Sequence, residues 1–323
     1  MDNSVFFEEE TSFKGYSNAE TLEINLGSCG KLSAPPTIKV TDYTMEDTLK
    51  ISSATSSNII EVLIEILQAR VQDDFDVRLL HENEFEEILL SIYVNFWNRF
   101  LLDYPFPWTE EDLKDLPESE AKEIRSGERV LKTNIDLSQV SVNEISEDFK
   151  EPIVIDMEYM KVGIRLPRVG DFLLAEEKVK EKFAVKDKRF SDIRFLREQG
   201  VDISKEIDSD RLFPYLTYEK ERATYFLALK QSLLLKFIEK DGSRKSLTTF
   251  EEKYHGYKHL PRQFWNILSK ELSDMKFGVD HSVKMKNPLT NEIVTRRCLF
   301  QVLDFIPTDD ISDSSRYTVQ YGD

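Results

Sequence analysis

A chain of 323 residues with 40% apolar and 32% charged side chains holds enough material for one large or two smaller cores and reads as globular. Its 60 Asp and Glu against 43 Lys and Arg leave a net charge of −17. That balance argues against direct nucleic-acid binding, because the phosphate backbone is gripped mainly by lysine and arginine.

No apolar run reaches the roughly 20 residues needed to span a bilayer. The opening MDNSVFFEEE carries acid where a secretory signal carries base. The expectation is a product that stays in the cytoplasm or leaves its cell by lysis. Residues 1–20, polar and acidic apart from Phe6, Phe7 and Phe13, read as a flexible arm that orders against a partner. Glu23-Ile24-Asn25-Leu26 reads as a short strand, followed by turns at Gly27 and Gly30, stiffening at Pro35-Pro36, and a second strand through Ile38 and Val40. LGSCGK at 26–31 is not a Walker loop, since Asn25 stands where the first glycine belongs and Leu32 where the magnesium-binding hydroxyl belongs.

Thr44 and Asp47 predict a capping box before a short helix, and Asn58 and Glu61 a second before IIEVLIEILQA. The strongest periodicity follows: Phe85, Ile88, Leu89, Ile92, Tyr93, Phe96, Trp97 and Phe100 recur at three- and four-residue steps, with Glu84, Glu87 and Asn95 off the stripe. The spacing predicts a core-facing helix, with Phe85, Ile88, Leu89, Ile92, Phe96 and Trp97 as core. Pro105 and Pro107 end it, and Thr109 with Asp112 predicts another short helix. The stretch to about Lys150 reads as an exposed excursion with strand character between Asn134 and Val142.

Val162, Ile164 and Leu166 alternate as a strand ended by Pro167, and Asp171 is expected to cap a charged helix. Residues 176–199 read as a solvated helical face. Phe226 to Phe237 predicts a long helix closed by Asp241-Gly242, and Pro261 opens a further helix. HSVKMK and EIVTRRCLFQVLDF read as two strands around the Asn287–Asn291 turn. The sum is an α+β fold, helix-dominated, with small antiparallel strand pairs near both ends. The expected division is an arm at 1–20, an N-terminal α+β region at 21–150, a C-terminal helical region ending in a hairpin at 151–307, and a flexible tail at 308–323.

Candidate chemistry is sparse. His255 and His259, four apart, have the spacing of a helical metal pair, but Gly256 interrupts and no Glu follows His255, so they read as helix-end and loop residues. His281 and Cys298 suggest a thiol–imidazole pair only if the cysteine leaves its strand core. Cys29 and Cys298, the two cysteines present, cannot form a metal cluster, and a disulfide between them is disfavoured in a reducing cytosol. No serine elbow is present. No catalytic, cofactor-binding or metal residue is assigned. Phe106 and Trp108, flanked by prolines and acid, are the candidate protein-interface residues.

The order of motifs, LGSCGKL at 26–32, IKV at 38–40, TDYTMEDTL at 41–49, IIEVLIEIL at 59–67, ENEFEEILLSIY at 82–93, VGIRLPRVGDFL at 162–173, MKFGVD at 275–280, KNPLTNEI at 286–293 and LDFIP at 303–307, resembles the baseplate hub and hub-assembly family of T-even-type contractile-tailed bacteriophages. Gly27 stands where that family carries proline. Asn287 and Thr290 or Asn291 stand where it carries the cysteines of a Cys-Pro-x-Cys knuckle, so no zinc site is expected. The resemblance implies a non-enzymatic tail protein of the baseplate hub, in the virion or in the host cytoplasm during assembly. Its partners would be other tail proteins, hub and tape-measure proteins among them, without nucleic acid, membrane, small-molecule substrate or cofactor. A transient assembly chaperone absent from the virion, and a host-interaction protein, are the alternatives. LGSCGK then reads as a structural turn with Lys31 facing solvent. Lys31→Ala and Cys29→Ser are expected to leave thermal melting and assembly nearly unchanged.

Overall fold

The computed structural model describes residues 21–55, 58–96, 101–275, 277–298 and 300. The arm at 1–20, the tail at 308–323 and Trp97 lie outside the described residues. The first strand pair is as the alternation predicts. β1 (Thr21–Asn25) runs antiparallel to β2 (Thr37–Thr41), with Ile24 opposite Ile38. Thr44 and Asp47 form a capping box on α1 (Met45–Ser53), and the Asp47 carboxylate also receives Arg70 from the end of α2 (Ile59–Arg70) at 2.7 Å. Asn58 departs from expectation. Its side-chain oxygen accepts from Thr55 N–H at 2.6 Å and leaves the α2 terminus without a side-chain cap, an Asx-type alternative open to this residue type.

α3 (Glu82–Asn95) runs through the first core. Phe85, Ile88, Leu89 and Ile92 are buried, and Phe96 is half-buried against them. β3 (Leu101–Pro105) pairs with β4 (Lys132–Asp136), and α4 (Glu118–Arg125) lies between them in sequence. The predicted helix at Thr109 is a turn instead. The Asp112 carboxylate accepts from both Thr109 N–H and its hydroxyl, at 2.7 and 2.9 Å. It also accepts from Asn287 and Arg296 at 2.8 and 3.0 Å. A capping-box pattern has become a clasp on the far end of the chain.

After β5 (Val142–Asn143) comes the largest sheet, which the sequence reading missed. β6 (Ile153–Met157), β7 (Met160–Ile164), β8 (Leu235–Lys240) and β9 (Ser243–Ser246) form four antiparallel strands in that order. The helices α5 (Val169–Arg189), α6 (Ser191–Glu198), α7 (Ile203–Glu206) and α8 (Ser209–Leu233) are inserted between β7 and β8. The helix expected to run to Phe237 stops at Leu233. Asp241 and Gly242 are a two-residue hairpin turn with φ of +51° and +74°, the turn that matches strand twist. The run Leu233–Ile238 is apolar enough to serve as either helix or strand; pairing with β7 decides. Residues 176–199 are not wholly solvated, because Val179, Phe183, Phe190 and Ile193 are buried.

α9 (Phe250–His259) and α10 (Arg262–Asp274) cover the sheet, with Gly256 inside α9 where it meets Ile238 and Leu247. The chain then returns. β10 (Gly278–Val279) pairs with β5, and β11 (Ser282–Lys286) with β12 (Ile293–Arg297). Val279, Val283, Met285 and Cys298 join the same core as α3. The hairpin grouped by sequence with 151–307 therefore packs into the core of 21–150. A small cluster of Ile145, Leu166 and Phe277 joins the two parts. Phe106 is also in this core, 1% exposed, its N–H donating to Leu131. Its position as an interface residue is thus corrected: the β3–β4 pairing turns the ring inward. Trp108 is half-buried against the same core.

Gly163 shows how closely the sheet packs. A Cβ there would lie 2.0 Å from the ring of Phe237, whose surroundings include the Arg244 guanidinium at 3.5 Å from the ring centroid. Gly163→Ala is expected to destabilise by about 1–3 kcal/mol. Pairing it with Phe237→Ala should give a loss well below the sum of the two single losses, measured by urea denaturation.

Candidate functional site: a buried polar seam

The densest gathering of buried ionisable groups sits where α3, the 26–31 turn and the start of α5 converge. It begins with a helix that needs its first turn satisfied. His81 precedes α3, and its Nδ1 accepts from Asn83 N–H at 3.0 Å, while the Glu84 carboxylate accepts from His81 N–H at 2.7 Å. His81 also bridges to Arg168, and the Val169 N–H donates to the Leu80 carbonyl at 2.9 Å. The start of α5 is thereby stitched to the start of α3. There, Arg165 and Asp171 form a buried bidentate pair at 2.5 and 2.7 Å, and Asp171 also accepts from Arg168 N–H at 2.9 Å.

Glu84 and Glu87 correct the sequence reading, which set both off the apolar stripe. Glu84 is 0% and Glu87 1% exposed, because the 26–31 turn closes over that face of α3. Glu87 Oε2 accepts from Gly27 N–H at 2.9 Å. A Cβ on residue 27 would meet Asn143 O at 2.6 Å and Glu87 Oε1 at 2.9 Å. Gly27 is thus required twice, for its small size and for its N–H. A proline at this position would supply neither. Ser28 is fully buried beside Glu84. Its hydroxyl, Glu84 Oε1 and Glu87 Oε1 have no hydrogen-bond partner of good geometry among the described residues.

The electrostatics follow from burial. Glu87 is pushed up to about 7, by desolvation first and then by the Glu84 and Glu86 carboxylates; Glu84 is also raised by burial. His81 is pushed down to about 3 by burial and by Arg168. Lys253, half-buried with its ammonium on the Leu233 carbonyl at 3.2 Å, falls to about 8 through burial and the nearby Arg165. The cluster is chemically suited to holding a proton inside the fold and pinning three segments together.

The motif residues are placed as follows. In LGSCGK the turn is built by the Cys29 N–H to Leu26 O bond at 2.9 Å, with Cys29 and Gly30 at φ of +52° and +73°. Cys29 is exposed, and local desolvation with Glu144 raises its thiol pKa, keeping it protonated. Lys31 is half-buried and donates to Ser146 O at 2.9 Å, so it does not simply face solvent. Losing that bond is worth about 1 kcal/mol.

His281 meets the carbonyl of Cys298 at 3.0 Å, not its sulfur, and places its other nitrogen 3.4 Å from Glu86. The Cys298 side chain is buried. His255 and His259 both lie on α9, edge to face at 4.3 Å. Among the described residues no group of three or more His, Cys, Asp or Glu gathers as metal ligands. Asn287 holds its turn by accepting from Leu289 N–H at 2.9 Å. Among the described residues no helix is long and apolar enough to cross a membrane. The sequence signal for the seam was present only as charge inside an otherwise apolar helix, and nothing local distinguishes that from a solvated edge.

No known protein family, curated protein or solved structure matches the chain.

Glu87 yields a pH test with a definite sign. Its folded-state pKa, about 7, lies above the ordinary 4.5, so folding takes up a proton. The stabilisation is full below 4.5 and is lost as pH rises through about 7, by up to roughly 3 kcal/mol. His81, held at about 3 against 6.5, acts oppositely: its contribution is present above 6.5 and lost as pH falls. Glu87→Gln removes one slope and leaves the other. The variant's stability relative to the parent is expected to improve by up to roughly 3 kcal/mol between pH 4.5 and 8. Urea denaturation at both ends reads it, and a pH-independent difference would show that folding leaves the Glu87 pKa unshifted.

Proposed function

We propose that this chain is a non-enzymatic tail protein of a contractile-tailed bacteriophage that acts in building the baseplate hub by gripping other tail proteins. The observation that carries the reading is an exposed apolar stripe on α8. Phe213 is 75%, Leu216 50% and Leu227 54% exposed, at steps that put them on one helical face. Phe195 on the neighbouring α6 is a further 60% exposed. Large exposed rings on a surface this charged are what a protein partner covers. The order of motifs from Leu26 to Pro307 supports the hub assignment, with hub and tape-measure proteins as the partners. The net charge of −17 supports a polypeptide partner over DNA. Trp108, half-buried at the surface, remains a secondary contact.

Co-expression with the hub and tape-measure proteins, followed by pull-down of the full chain, tests this. The parent chain is expected to retain at least one of them. Phe213→Asp with Leu216→Asp should lower capture tenfold or more while leaving the melting temperature unchanged. A chain that ignores every tail protein overturns the reading. Stoichiometric presence in purified virions marks a hub component at the tail baseplate; absence marks an assembly factor acting in the host cytoplasm.

A further inference from the structure

Between α5 and α8, with Tyr254 of α9 also lining it, lies a groove of about 780 Å³. Its floor is aromatic, with Tyr225 from α8 and Tyr254 from α9, and its rim carries Lys182 and Lys186 from α5 and Lys220 from α8. Lys182 lies over the Tyr225 ring, 3.6 Å from its centroid. Lys186 is paired with Glu221 at 2.6 Å. Lys182 and Lys220 make no ion pair among the described residues. Val185, on the same rim, is 84% exposed. In a chain with net charge −17, this groove is a local exception: apolar below, cationic at the edge.

What covers such a groove should bring rings or aliphatic groups together with carboxylates. A separate acidic protein is disfavoured, because the field of the whole chain repels it before contact. A tethered segment meets the same field but offsets it, since its local concentration is set by the linker and reaches the millimolar range. Residues 1–20 have the matching chemistry: Phe6, Phe7, Phe13 and Tyr16, with Asp2, Glu8, Glu9, Glu10 and Glu20 against the single Lys14. From Phe7 to Thr21 the chain spans up to roughly 46 Å, against a radius of gyration of about 20 Å for a compact chain of this length.

We propose that residues 1–20 occupy the groove between α5 and α8 of their own chain, placing aromatic rings against Val185, Tyr225 and Tyr254 and carboxylates against Lys182 and Lys220. Each such pairing is charge-assisted at a partly desolvated rim, so occupancy weakens as salt rises.

The test uses the full chain with p-benzoylphenylalanine at Phe7, photolysed in dilute solution and mapped by mass spectrometry. Cross-links are expected to fall within residues 182–186 and 217–228 of the same chain. They should drop fivefold or more in 1 M salt and in Lys182→Glu with Lys220→Glu, a variant whose circular dichroism and melting temperature match the parent. Because both lysines are at the surface, that control keeps loss of docking separate from loss of fold. Cross-links mainly to other surfaces, or unaffected by salt and by the charge reversals, overturn the proposal. Cross-links to the groove that appear only between chains, as covalent dimers rising with concentration, overturn it in favour of a second copy as the occupant.

Discussion

Helix α3 is enclosed from Glu84 to Tyr93, with only Glu86 and Ser91 half open to solvent. A helix in that position cannot carry two ionised glutamates without a cost of several kcal/mol each. It carries them protonated or bonded to backbone N–H groups, and the donors come from different stretches of chain. His81 serves Glu84 and Gly27 serves Glu87. The turn at 26–31 and the start of α3 are consequently held by groups whose bonds are all inside, which gives the arrangement a single register. Burial of two acids is the constraint around which the neighbouring segments are arranged.

From α3 the ties reach both parts of the fold. The His81–Arg168 bridge fastens α5, and Asn83 donates to the Phe277 carbonyl at 2.6 Å. The Asp112 clasp takes Asn287 and Arg296 from the returning hairpin, and the Thr133 hydroxyl donates to Lys286 O at 2.8 Å. Apolar burial supplies the bulk of the driving force, but it is non-directional. The directional bonds at these few places determine which segments meet, and unsatisfied partners would be expensive to leave.

The outer helices follow a different logic. α5 and α8 bury one another through Val179, Phe183, Tyr215 and Tyr218, and the Tyr218 hydroxyl donates to Asp187. Their outer faces keep Val185, Phe213 and Leu227 exposed. Apolar groups left outside in this way add little to the stability of the isolated chain. The polar seam thus ties segments of the chain together, while the outer helices leave part of their apolar surface open to solvent.

Local rules sufficed where the partner of a group was near in sequence. The Thr44–Asp47 capping box, the β1–β2 and β11–β12 pairs, the apolar stripe of α3 and the α+β class were all legible, because propensity, alternation and capping act over a few residues. The four-stranded sheet was not, since β7 and β8 are separated by about 70 residues of helix and the Leu233–Ile238 run satisfies two periodicities. Nor was the inward turn of Phe106, which depends on β4, or the burial of Glu84 and Glu87, which depends on a turn some 55 residues earlier. Composition and pattern determined the elements whose signals are local and unambiguous; only the assembled fold decided between helix and strand at Leu233–Ile238 and which charged face is shut away from water, because strand pairing and desolvation belong to the whole enclosure and to no residue alone.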